Sequence, residues 1–164
     1  MSVLRGHFAN HRRRSPWSFC WRVTLEGLLL SLAISSILAP FSGAERDFMK
    51  WPLLKALFVI LIFAPLVETL ILQMIPIGLA RLFRARFKTQ VLVSLIPFAL
   101  LHFVEGIAVG ISAGVIGGFY LAFTYAHWLE KSVWIAIWTT VLSHFMKNSV
   151  VAVVLVLARV FGFE

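Results

Sequence analysis

The sequence predicts an all-α bundle of about five membrane-spanning helices, and three observations carry that prediction. Hydrophobic residues make up 60% of the 164-residue chain, charged residues only 13%, and the mean hydropathy is +0.92. A water-soluble domain of this size does not need so much apolar surface, because its exterior must face water. The apolar residues gather into runs near the roughly 20 residues that cross a hydrocarbon core. The basic residues gather beside those runs, so the net charge of +8 points to membrane topology and not to nucleic acid.

The elements follow in chain order. Residues 1–20 form a basic tail with Arg5, Arg12, Arg13 and Arg14, and residues 21–164 form the transmembrane domain. The stretch "RGHFANHRRRSPW" could open a signal peptide, but the apolar run after it is too long and carries Glu26. It therefore reads as an uncleaved first span, 21–41. The second span is 52–79, the third 90–104, the fourth 107–126 and the fifth 133–161. The third is short, and extension past Glu105 would lengthen it. The fifth is long, which calls for a tilt, a kink or a split near Lys147. The loop "RLFRARFK" at 81–88 holds four basic residues, whereas the loop with Glu45, Arg46, Asp47 and Lys50 is mixed. The positive-inside rule then puts the N-terminus and the 81–88 loop in the cytoplasm and the C-terminus outside. The Arg-rich ends and compact size suggest a bacterial inner membrane. The single cysteine, Cys20, permits no internal disulfide.

Few polar residues fall within the spans. Glu26, four residues after Arg22, can pair with it or reach the interface. Lys147 and Arg159 have stems long enough to snorkel, although Lys147 sits deep. Glu105 and His127 fall near span ends, and His7 and His11 belong to the tail. Glu68, His102, His144 and Asn148 remain. A buried charge costs roughly 2.5–3.5 kcal/mol near a helix centre, so Glu68 within "APLVETLILQ" calls for a reason. Glu68 lies 13 residues before Arg81, His102 lies 14 after Lys88, and His144 lies 13 after Lys131. At 1.5 Å per residue all three side chains fall about 20 Å from the same membrane face. Three helices thus bring titratable groups to one layer. His144 and Asn148, four apart, share a helix face, as do Phe98 and His102, and Thr69 and Gln73.

Three short motifs in this order resemble the CAAX-protease and bacteriocin-processing (CPBP) family of intramembrane proteases, which includes the Ras-converting CAAX endopeptidase. The family pattern is Glu-Glu-x-x-x-Arg, then Phe-x-x-x-His, then His-x-x-x-Asn or Asp. Here it reads "ETLILQ" from Glu68, "FALLH" from Phe98 and "HFMKN" from His144. The intervening Gly-rich helix, polar turn and lead-in helix are also similar, and the resemblance covers about 52–150. Thr69 stands where the family has its second Glu and Gln73 where it has Arg. A neutral hydroxyl–amide hydrogen bond between them would replace the missing ion pair.

The resemblance implies peptide hydrolysis within the membrane. Glu68 would be the base that activates water, and His102 would hold that water and pass a proton to the leaving amine. His144 and Asn148 would donate hydrogen bonds to the oxyanion. Thr69, Gln73 and Phe98 would support these groups. The implied partner is a membrane-associated peptide or protein substrate in the lipid bilayer. No cofactor is predicted. Zinc is the alternative, since two His and one Glu are a known ligand set. That chemistry generally needs a further carboxylate as base, and no H-E-x-x-H occurs here. Two rival functions are a non-catalytic scaffold or immunity-type relative that binds membrane peptides, and a proton or solute pathway. Five spans without a repeated broken helix make a poor transporter.

Overall fold

The computed structural model describes residues 15–38, 40 and 50–162. The basic tail residues Arg5, Arg12, Arg13 and Arg14, the histidines His7 and His11, and the loop charges Glu45, Arg46 and Asp47 lie outside the described residues. Among the described residues the fold is all-α, with five helices: α1 (Pro16–Leu38), α2 (Leu53–Leu82), α3 (Phe87–Phe103), α4 (Ile107–Leu129) and α5 (Val133–Phe161). All but α3 are long and apolar enough to cross a membrane, which marks the chain as a membrane protein.

The helices depart from the sequence expectation at the start of α1 and the end of α3, and α5 settles the choice left open at Lys147. α1 begins at Pro16 and not at 21, because proline at the first helical position costs no hydrogen bond and Phe19 is buried against Phe123 and Trp128. α3 stops at Phe103 and does not continue past Glu105. Gly106, at φ 108°, turns the chain there into α4. α5 runs unbroken through Lys147 for 29 residues.

α4 is the central helix, packed against α1, α3 and α5, while α2 packs on α3 and α5. Tyr120 through Trp128 are all buried. Close packing of α3 on α4 rests on glycines at every fourth position, the small-xxx-small pattern of membrane helices. A Cβ on Gly114 would lie 2.9 Å from His102 Cβ and 3.1 Å from the Ala99 carbonyl oxygen. One on Gly118 would lie 2.7 Å from the Phe98 ring, and one on Gly110 would enter the Phe103 ring. Backbone therefore meets side chain directly along this seam, and the seam fixes where Phe98 and His102 sit.

α2 is continuous but contains two π-helical stretches, Val59–Phe63 and Thr69–Met74, each followed closely by a proline. In the first, the Ala64 N–H turns back to the Val59 carbonyl, and Pro65 has no N–H to give. The Ile60 carbonyl is left without a helical donor, and Asn148 of α5 fills the gap with its amide, Nδ2 to oxygen 2.8 Å. Pro76 likewise cannot serve the Leu72 carbonyl, and Ser94 of α3 donates to it at 2.7 Å. No water is present in a bilayer core to satisfy such groups, so both neighbouring helices are tied to α2 by need.

Candidate active site

The layer expected at about 20 Å depth forms one site. Glu68 of α2 and His144 of α5 face each other, with Oε2 3.8 Å from Nε2. His102 of α3 stacks on Phe98, ring centroids 4.4 Å apart and planes 17° apart, and Phe98 in turn lies 6.2 Å from the His144 ring. The fully buried Phe98 is thus the wall that sets both imidazoles. His102 Nδ1 is 2.9 Å from the Phe98 carbonyl. A carbonyl only accepts, so Nδ1 carries the proton and neutral His102 keeps Nε2 as its acceptor.

These groups line a cavity of about 820 Å³ together with Asn148, Lys147 and Glu105. Ser35, Trp51 and Val154 line it too. These lie toward the Phe103–Ile107 end of the bundle, opposite the end that carries Arg81, Arg84, Arg86, Lys88 and Lys131. Glu68 and His144 therefore line the deeper part of a cavity that extends away from the basic end. Among the described residues, no three His, Cys, Asp or Glu side chains converge to hold a metal ion.

Several single-residue expectations need correction. Thr69 and Gln73 are fully buried, but they do not hydrogen-bond to each other: Thr69 Oγ1 and both polar atoms of the Gln73 amide have no partner. The turn between them is π-helical, and within it the two side chains share a face without meeting. Glu26, expected to pair with Arg22 or reach the interface, accepts a hydrogen bond from Tyr120 Oη at 2.7 Å. The Arg22 guanidinium lies over the Trp21 ring. His127, expected at water, is buried among Phe19, Phe123 and Trp128. Lys147 does not snorkel. Its amine is buried without a hydrogen bond, 5.1 Å from the Tyr120 ring centroid, and Gly27 leaves the room for it. Arg159 donates to the Trp51 carbonyl at 3.0 Å. Asn148 reaches the cavity wall, yet one of its amide hydrogens is already committed to Ile60.

Sequence reasoning passed over the glycines of α4, Ser94 and the Tyr120–Glu26 bond. The first two had a signal: glycine at every fourth position, and a proline whose i−4 carbonyl must find another donor. No family model, curated protein or solved structure matches this chain.

Proposed function

We propose that this chain is an intramembrane endopeptidase of the CPBP type, which hydrolyses a peptide bond with water activated by Glu68. The observation that carries this reading is the placement of Glu68 Oε2 3.8 Å from His144 Nε2, in the deeper part of a cavity that His102 also lines. That gap is too long for a direct hydrogen bond, and a water about 2.8 Å from each atom fits at its apex. Glu68 takes the proton of that water as oxygen attacks the scissile carbonyl. His102 orients the water through Nε2, takes over the proton held by Glu68 and delivers it to the departing amine. His144 and the second amide hydrogen of Asn148 stabilise the oxyanion, where low polarity strengthens each donor. The substrate is a membrane-embedded or membrane-tethered peptide, and the setting is a bacterial inner membrane with the basic end and N-terminus in the cytoplasm. A second reading is a non-catalytic relative that binds membrane peptides, favoured by the uncharged Thr69 and Gln73.

The test is cleavage of a membrane peptide reporter by Glu68→Ala, His102→Ala and His144→Ala. Each should abolish cleavage while the protein accumulates normally. Near-normal cleavage by Glu68→Ala would remove the mechanism, and an inactive wild-type chain that still binds the peptide would establish the second reading. Cleavage should also survive exhaustive chelation. Activity lost on chelation and restored by one zinc per chain would instead make Glu68 a metal ligand.

A further inference from the structure

Buried hydroxyls in this bundle differ in how they are satisfied, and Ser94 and Thr24 donate to the Leu72 and Ser143 carbonyls of neighbouring helices. Ser112, Thr124 and Thr139 donate to the carbonyl four residues back in their own helix, at 2.6–2.7 Å, the ordinary solution inside a membrane helix. Thr69, Thr140 and Ser143 do not, and their oxygens have no partner. The same is true of both ends of the Gln73 amide and of Trp128 Nε1 and His144 Nδ1. All six residues are at least nine-tenths buried.

These atoms are not scattered. Ile77, Gln73 and Thr69 form one stripe on α2, and Ala136, Thr140 and the Ser143–His144 pair form another on α5, each stepping by one turn. α2 and α5 run in opposite directions and pack together over Val59–Met74 of α2, and Ile77, Ala136 and Trp128 belong to one buried cluster at the basic end. Counted from the basic ends of their helices, Gln73 and Thr140 lie about 10–14 Å deep and Thr69 and His144 about 16–20 Å. Gln73 and Thr69 are therefore level with Thr140 and His144 on packed helices, between the Trp128 cluster and the Glu68–His144 pair. Neither Gln73, Thr69, Thr140 nor Ser143 lines the cavity on the other side of that pair.

We propose that Gln73, Thr69, Thr140 and Ser143 hold a chain of bound water molecules that reaches Glu68 and His144 from the basic end of the bundle. A row of buried donors and acceptors, unpaired within the protein, is the setting in which internal water is held, each molecule bridging about three polar groups. Its role as the supply of hydrolytic water rests on the peptidase reading; its occupancy by water does not. The site then has two entrances. The peptide comes through the apolar-walled cavity, and water comes from behind through a polar file, so substrate need not be displaced to admit the nucleophile.

The experiment is radiolytic hydroxyl-radical footprinting of the full chain in lipid nanodiscs, read by mass spectrometry. Bound water generates radicals in place, and Trp128 and Met74 pack in the cluster at the head of the stripes. Both should be oxidised in the wild type, and oxidation should fall at least fivefold in Gln73→Leu/Thr140→Val. The conservative Thr140→Ser variant should keep it. Failure to oxidise Trp128 and Met74 in the wild type, or equal oxidation in the double apolar variant, overturns the proposal. If the peptidase reading also holds, the double variant lowers kcat about tenfold with KM unchanged. Labelling as expected in a chain that cleaves nothing would leave the water file standing and remove the peptidase. Unlabelled reporters in a chain that cleaves would do the reverse.

Discussion

Replacing Asn148 by leucine separates the structural task of that residue from the catalytic one. The substitution nearly conserves volume but removes the side-chain donor that Asn148 provides to the Ile60 carbonyl. Ala64 bonds to Val59 instead, and Pro65 has nothing to donate, so the carbonyl becomes a buried, unsatisfied acceptor. Such a loss costs about 1–3 kcal/mol, equivalent to a shift of about 5- to 150-fold in the unfolding equilibrium. The same substitution in a Pro65→Ala background should be far milder, because the new N–H at position 65 can serve the neglected carbonyls of the previous turn. A double-mutant cycle should therefore give a coupling of about 1–2 kcal/mol, read from reversible unfolding in mixed micelles followed by circular dichroism. An Asn148→Leu cost that is the same in both backgrounds would refute the account of α2. Cleavage by the Pro65→Ala/Asn148→Leu protein, which keeps its fold, then isolates catalysis: an oxyanion donor should take about 100- to 1,000-fold of kcat with it.

Two further outcomes follow from the packing. Gly114→Ala should lower kcat at least tenfold at normal protein level, because its Cβ would press on His102 and small displacements of a catalytic group are costly; Gly78→Ala, where nothing lies within 4 Å, should leave activity intact. A fully active Gly114→Ala would show that this seam does not set the imidazole. Lys147→Met should be at least as stable as the wild type, by about 1 kcal/mol or more, since it removes a buried amine that has no hydrogen bond. Destabilisation in the same unfolding assay would show that the amine contributes more than its contact with Tyr120.

The number and order of the helices were legible because twenty-residue apolar runs have few alternatives in a membrane protein. The site was legible through depth. Residue counts from three basic helix ends placed Glu68, His102 and His144 in one layer, and Glu68 and His144 face each other there at 3.8 Å. Lateral partners were less legible. Thr69 and Gln73 carry the spacing of a helical pair and share a face, yet their polar atoms do not meet, and spacing alone announces a common face but not a contact. The partner of Glu26 was hidden for a different reason. Tyr120 is 94 residues away, and its approach depends on Gly27 leaving space on α1. The start of α1 at Pro16 reflects aromatic packing of Phe19, which hydropathy alone treats as interchangeable with any other apolar contact.

The proline gaps in α2 also constrain how the chain is made. Helices leave the ribosome in order, and the donor for Leu72 follows it by 22 residues, whereas the donor for Ile60 follows by 88. At about 5–20 residues per second, the second helix waits roughly 1–4 s for Ser94 but roughly 4–18 s for Asn148. During that longer interval its outer half carries an exposed carbonyl that lipid cannot satisfy. The nascent α2 is thus best kept beside a water-containing insertion channel until α5 emerges, and α5 acts as the latch that releases the second helix into the bilayer.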